Sequence, residues 1–309
     1  MDYFTGFCDR VEAFKHRRIF FAQKHVGTEA RVPRFELVAG GIWLSFVRLA
    51  VFAAAFTCEV AQGAKCNNAP FDNHPYIVCE VNLATEELEV FQVDDNGTAI
   101  GSLQRLDQWL GEKGRKLVFG MNGGIFKPSG VPVGLLVVRG TTVNKIDLKG
   151  WPGFPKETGN FYAIPNAVFW IKDRKARIQE SLSYDQDKVR SKVDMAIQSG
   201  PMLVRSREIP NDLTGYNKKD FKRNGVCVIS PSELRFVISD VEVSIHEFAR
   251  FMRDHLKCSD ALYLDGCRSV LFSANLKRSD KSCKDTNDVH TPLGAFLAVV
   301  ESRPAGSER

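Results

Sequence analysis

From residue 76 onward, short apolar runs alternate with polar, glycine-containing breaks, which is the pattern of a strand-rich domain. Residues 76–83 (YIVCEVNL) and 88–93 (LEVFQV) read as a hairpin turned by Ala84-Thr85-Glu86-Glu87. Ser102 opens a helical pattern that places Leu103, Leu106, Trp109 and Leu110 on one face and stops at Gly111 and Gly114. Further strands are expected at 116–121, 133–138, 167–171, 176–179, 195–198, 226–229, 234–238, 261–264 and 294–300. A second helix is predicted over 244–257, where Ser244 and Glu247 form a capping-box pair ahead of Ile245, Phe248, Ala249, Met252 and Leu256. Residues 150–165, rich in Gly, Pro and aromatics, read as a long surface loop, and 205–223 as a polar, mobile segment. No repeat or composition break follows residue 64. The expected fold is therefore α/β in the α+β sense: a single mixed-sheet domain with flanking helices over 64–309.

The first 63 residues have a different pattern. Residues 1–35 carry seven Lys or Arg against four Asp or Glu, and 37–56 are apolar except for Arg48. Basic region, apolar region and the small residues around Ala61-Gln62-Gly63 follow the order of a cleaved export signal with a long N-terminal extension, the mature chain beginning near Ala64. The alternative is an uncleaved anchor, since twenty residues just span a bilayer, with Arg48 costing about 2.5–3.5 kcal/mol on insertion scales. Either places the body of the protein in the periplasm or outside the cell, secreted in the first case and held on the periplasmic face of the inner membrane through 37–56 in the second.

Composition narrows the function classes. The 309 residues are 44% hydrophobic and 26% charged, an ordinary globular balance that argues against disordered and multi-spanning classes. Lys and Arg number 42 against 37 Asp and Glu, a net charge of +5 spread along the chain, so no nucleic-acid stripe is formed. Beyond residue 63 six cysteines remain, an even number suited to disulfides in an exported protein. Short loop closure favours Cys66 with Cys79 and Cys267 with Cys283. Neither C-x-x-C nor His-x-x-x-His spacing points to zinc.

Four polar-plus-glycine junctions end the apolar strands: Asn122-Gly123-Gly124, Gln198-Ser199-Gly200-Pro201, Arg223-Asn224-Gly225 and Asp265-Gly266. Each is an ordinary turn signal taken singly. Together they offer glycines that let backbone N–H groups approach a ligand, and Asn, Ser and Arg donors for sugar hydroxyls or phosphate oxygens. In the blocks MNGGIF, QSGPMLV, RNGVCV and LYLDG, and in their order, the chain resembles the phosphodiester glycosidases related to the lysosomal uncovering enzyme. The resemblance spans about residues 76–300 and is closer to the bacterial exported branch around SDVEVSIHEFARFMRD. Where many members continue the LDG block with further glycines and a serine, this chain has Cys267 and Arg268 before Ser269.

The resemblance implies hydrolysis of a sugar-1-phosphodiester at its glycosidic bond, in metabolism of an envelope polymer or exopolysaccharide. Such a reaction needs a carboxylate for its oxocarbenium-like state, for which Asp265 is the first candidate. Arg223 is the candidate bidentate clamp on the phosphate leaving group. Asp240, between a strand and the capped helix, and Glu247, already used by the capping box, are the candidates for a second carboxylate; His246 is a further proton carrier. Asn122, Gly123, Gly124, Ser199, Gly200, Asn224 and Gly266 are assigned to substrate binding. No G-x-S-x-G elbow surrounds Ser199 and no nucleotide or flavin signature appears, so neither a serine hydrolase nor an organic cofactor is expected. No metal is assigned; Asp240, Asp265 and loop carbonyls are the groups that would hold calcium or magnesium. The alternative function is a non-catalytic carbohydrate- or phosphate-binding module on the same fold. A third class, a phosphodiesterase cleaving P–O, is disfavoured by the sparse histidines.

Overall fold

The computed structural model describes residues 63–302 except 128, 158, 188–191, 212, 214–219, 267 and 280–291. The signal or anchor read over 37–56 and the Cys267–Cys283 pairing lie outside the described residues. Among the described residues no helix is long and apolar enough to cross a membrane.

In chain order the elements begin with β1 (Lys65–Phe71), β2 (His74–Asn82), β3 (Leu88–Phe91), α1 (Leu103–Glu112), β4 (Arg115–Asn122), β5 (Leu136–Val138) and β6 (Thr141–Asn144). There follow β7 (Ala167–Lys172), β8 (Lys175–Glu180), α2 (Ser181–Gln186), β9 (Met195–Ser199), β10 (Met202–Val204), β11 (Asn224–Ser230) and β12 (Glu233–Ser239). The chain then forms α3 (Ile245–Arg250), β13 (Asp260–Asp265), β14 (Leu271–Ser273), β15 (Arg278–Ser279) and β16 (Phe296–Ser302).

The α+β class is as expected, but the strands divide among three sheets. Their orders are β1-β2-β12-β11-β13-β10, β15-β14-β4-β16-β3 and β6-β5-β9-β7-β8. Neighbouring strands pair antiparallel throughout.

The two-residue period of a strand explains how three sheets share one interior. In β7, Ala167, Phe169 and Ile171 face a central core, while Val168 and Trp170 face outward into a second cluster with Tyr184 of α2. In β13, Leu262 and Leu264 face the same centre, and Ala261 and Tyr263 pack against Phe248 and Met252 on the α3 side. In β16, Leu297 and Val299 point inward, and Phe296 and Ala298 meet Leu106 and Leu110 of α1. Each sheet thus gives one face to the central core and has a helix on the other. Burial on both faces is why these strands read as continuous apolar runs. Burying each large apolar side chain contributes about 1.5–3 kcal/mol.

The helix ends follow local rules. Ser102 caps α1 by accepting from the Arg105 N–H at 3.1 Å. Ser244 and Glu247 form the reciprocal capping box of α3. The predicted helix over 244–257 is two segments: α3 widens into a π-helical turn, Phe251–His255. There Phe251 stacks on Tyr76 of β2, ring centroids 3.9 Å apart. Five strands were not expected, β1, β6, β10, β14 and β15; of these β1 has a polar sequence, and it is held at the sheet edge by pairing with β2 and by the Cys66–Cys79 disulfide between register partners. A second disulfide joins Cys227 to Cys258, fastening β11 to the segment after the π-helical turn.

Candidate active site

The C-terminal ends of β4, β9 and β13 and the first residue of β11 meet where the three sheets adjoin. Asn122 ends β4, Ser199 ends β9, and Asn224 and Asp265 are cross-strand partners at the ends of β11 and β13. Hydrogen bonds tie the sheets together at this point. Asn122 Nδ2 donates to Asp265 Oδ2 at 2.9 Å, linking β4 to β13. Asn224 Nδ2 donates to both Asn122 O and Asn122 Oδ1 at 2.9 Å. The Val270 N–H donates to Asn122 Oδ1 at 2.8 Å. Ser199 Oγ donates to Leu264 O at 3.1 Å, linking β9 to β13. Asn122 is therefore a buried hub whose amide orients the carboxylate while its carbonyl is held by two donors.

Asp265 lies deep among protein atoms but reaches solvent through a cleft of about 140 Å³. The cleft is lined by Asn122, Gly123, Gly124, Ile125, Phe126, Lys127, Asp265, Arg268 and residues 292–295. Burial pushes the Asp265 carboxyl up to about 6, against the opposing effects of the Gly266 N–H, the Arg268 charge and the Asn122 amide. The Gly266 N–H donates to Asp265 Oδ1 at 2.7 Å, so both carboxylate oxygens are held.

Several glycines are required by close approach. A Cβ on Gly266 would lie 2.3 Å from the Tyr263 hydroxyl, and one on Gly294 would lie 1.9 Å from the Phe126 ring. Gly294 thus leaves room for the Phe126 ring in the cleft wall. Gly124 has φ +77°, and a Cβ there would also press on Ile197 of β9.

A family model for phosphodiester glycosidases matches residues 115–299, which contain the whole of this arrangement. The chain belongs to the phosphodiester glycosidase family. The uncharacterized protein YigE of Escherichia coli K12 is 29% identical over 192 residues, covering 62% of this chain and 72% of that protein. The catalytic domain of zebrafish N-acetylglucosamine-1-phosphodiester alpha-N-acetylglucosaminidase, auto-inhibited by its pro-peptide, aligns with a TM-score of 0.50 at 16% identity. That alignment covers 77% of this chain and 82% of the zebrafish chain. A hypothetical protein from Synechocystis aligns with a TM-score of 0.48 at 11% identity, over 77% of this chain and 61% of that one.

Within this phosphodiester glycosidase domain the expected site residues separate into two groups. Asn122, Gly123, Gly124 and Asp265 line the cleft; Asn224 and Gly266 adjoin it through the hydrogen bonds above. Ser199 and Gly200 lie behind them, with the serine hydroxyl directed at a backbone carbonyl. The structure does not bring Arg223, Asp240 or Glu247 to the cleft lining. Arg223 is fully buried: its Nε donates to Val243 O at 2.8 Å, its Nη1 to the Tyr263 hydroxyl at 3.3 Å, and its guanidinium lies over the Phe221 and Tyr263 rings. It braces the residue beneath Gly266. Asp240 pairs with Arg278 at 3.2 Å and with Lys222 at 3.9 Å, contacts that hold its carboxyl below the usual range. Glu247 caps α3, and the Ser244 N–H holds its carboxyl below the usual range. His246 is exposed on α3.

Gln198, noted in its junction, is a buried structural hub. Its Oε1 accepts from the Leu135 and Asp147 N–H groups, each at 3.0 Å, and its Nε2 donates to Asp147 O at 2.7 Å. Phe126, Lys127, Arg268 and Gly294 line the cleft without having been singled out as functional from the sequence. Arg268 had been noticed only as a departure from the family's glycines. Among the described residues, no three His, Cys, Asp or Glu side chains are grouped so as to hold a metal ion.

Proposed function

We propose that this phosphodiester glycosidase family member is an exported hydrolase that cleaves the bond between the anomeric carbon and the phosphate oxygen of a sugar-1-phosphodiester. The observation that carries the reading is Asp265: the one carboxylate lining the cleft among the described residues, oriented through both oxygens and titrating near 6. At neutral pH most of it is ionised, the form that stabilises a developing oxocarbenium ion, attacks it, or takes a proton from water.

Water adds its oxygen to the anomeric carbon, the C–O electron pair leaves with the phosphate, and one water proton is released. The products are a free sugar and a phosphomonoester. A phosphate leaves without strong protonation, so a second carboxylate acting as general acid is not needed, consistent with Asp240 and Glu247 being engaged elsewhere. The step as written draws on protein groups and water alone. The proposed substrate is a glycan or sugar phosphodiester of an envelope polymer or exopolysaccharide, met in the periplasm or outside the cell. Two disulfides support that oxidising location.

The test is a mass-spectrometric assay of the full-length protein against UDP-N-acetylglucosamine and other sugar-1-phosphodiesters, beside Asp265→Asn. Free sugar released by the unmutated protein and suppressed in the variant supports the reading. The second reading, a carbohydrate- or phosphate-binding module, is favoured by Arg268 standing in the cleft at a position where many members carry glycine. Binding of these compounds by a folded protein that turns over none of them would favour it.

A further inference from the structure

We infer that Arg268 and Lys127, not Arg223, form the anion anchor of the cleft, holding the phosphodiester group beside Asp265; the inference rests on the glycosidase reading above. A phosphodiester brings one negative charge into a site that already contains a carboxylate, so the site needs cations to accept it. Arg223 is fully buried, with its guanidinium on Val243 O, the Tyr263 hydroxyl and two aromatic rings. Its position suits bracing of the Asp265-Gly266 loop. Among the described residues, the charged side chains lining the cleft are Lys127, Asp265 and Arg268. Both cations therefore line the same wall as Asp265, so an anion entering the cleft meets positive charge beside the carboxylate.

The two cations come from separate loops with fixed backbones. Arg268 is followed directly by Ser269, whose N–H donates to Gly266 O at 2.9 Å, and then by Val270, whose N–H is held on Asn122 Oδ1 at 2.8 Å. The hydrogen bond that positions the catalytic hub therefore also positions the strand leaving Arg268. Lys127 sits on a short hairpin, where its N–H donates to Val131 O at 2.9 Å and the Val133 N–H donates to Ile125 O at 2.9 Å. Between Ile125 and Lys127, Phe126 is pressed against Gly294 across the cleft. The Arg268 charge also opposes the effect of burial on Asp265, which places the two groups in one electrostatic field.

The anchor acts on the reaction as well as on binding. When the C–O pair departs with the phosphate, the leaving group goes from a phosphodiester monoanion towards a phosphomonoester dianion. Two cations stabilise the second more than the first, and this difference lowers the barrier. Arg268 is a donor that can meet two phosphate oxygens at once.

The experiment uses the full-length protein and its Arg268→Gln, Arg268→Lys and Lys127→Gln variants, each checked for an unchanged thermal melt. Inorganic phosphate binding is measured by calorimetry, and turnover on a sugar-1-phosphodiester by mass spectrometry. The anchor predicts that Arg268→Gln weakens phosphate binding at least about tenfold and slows turnover about a hundredfold. Lys127→Gln should have a smaller effect in the same direction, and Arg268→Lys should keep an intermediate level of both. Phosphate binding that depends on Arg268 in a protein that hydrolyses nothing would sustain the anchor and remove the glycosidase reading. Turnover in the unmutated protein that Arg268→Gln leaves unchanged would overturn the anchor and leave the glycosidase reading standing. Failure of the unmutated protein to bind phosphate would also overturn it.

Discussion

Asn122 Nδ2 donates to Asp265 Oδ2 at 2.9 Å across 143 residues of sequence, and this bond joins the sheet containing β4 to the sheet containing β13. The carboxylate is thus aimed by the packing of two sheets, not by its own loop. Asn122→Ala should leave Asn224 Nδ2 and the Val270 N–H without their side-chain acceptor and cost about 1–3 kcal/mol of stability. It should also remove a bond that favours ionised Asp265, so the acidic limb of the pH–rate profile should move upward. A profile unchanged in a folded variant would show that the amide does not orient the reacting group.

The raised Asp265 pKa has consequences of defined sign. As the account needs the ionised carboxylate, kcat/KM should fall as pH drops through about 6. For stability the sign is opposite: the folded value of about 6 lies above the ordinary aspartate value of 3.8, so the contribution is fully present below about pH 4 and is lost as pH rises through 6. Relative to wild type, Asp265→Asn should therefore gain stability between pH 4 and 7, on the order of 1 kcal/mol after allowance for the solvent contact of this group. Denaturant melts at the two pH values measure the difference.

Gly266 and Tyr263 form a testable pair. Gly266→Ala puts a methyl 2.3 Å from the tyrosine hydroxyl, so either the loop bearing Asp265 or the ring must move, at a cost of about 1–3 kcal/mol. Turnover should fall with stability. In the double variant with Tyr263→Phe the clash is removed, and part of both losses should return, giving a coupling energy in a double-mutant cycle. Simple additivity of the two changes would place the strain elsewhere.

Asp240 and Glu247 separate structural from chemical carboxylates. Glu247→Ala should cost about 1 kcal/mol through the lost cap, with kcat unchanged. Asp240→Asn should weaken its part-buried ion pair with Arg278, at a cost of about 1 kcal/mol, and leave kcat within about twofold because the pair lies outside the cleft lining. A hundredfold fall in kcat for either would mean that a second carboxylate serves the reaction.

The sequence was most informative where side-chain periodicity and local hydrogen bonding decide the outcome. Strands such as β7 and β13 are visible as apolar runs because both faces are buried, and α3 is visible through Ser244 and Glu247. β1 was not, since its polar edge residues are placed by β2 and a disulfide and carry no period of their own. Glycine marks the junctions at Asn122, Asn224 and Asp265, but their convergence comes from three sheets meeting, which no local pattern encodes. Arg223 was read as a phosphate clamp; its burial depends on Phe221, Val243 and Tyr263, up to 40 residues away. Phe126 and Gly294 meet across 168 residues of sequence, so their fit left no local signal.

The central claim is cleavage at the anomeric carbon by water in the cleft of Asp265. The most direct measurement is hydrolysis of a sugar-1-phosphodiester in oxygen-18 water, with mass analysis of both products. The account predicts that the label enters the free sugar and is absent from the phosphomonoester, and that Asp265→Asn suppresses its incorporation. Label in the phosphate product would contradict it, since the bond broken would then be P–O.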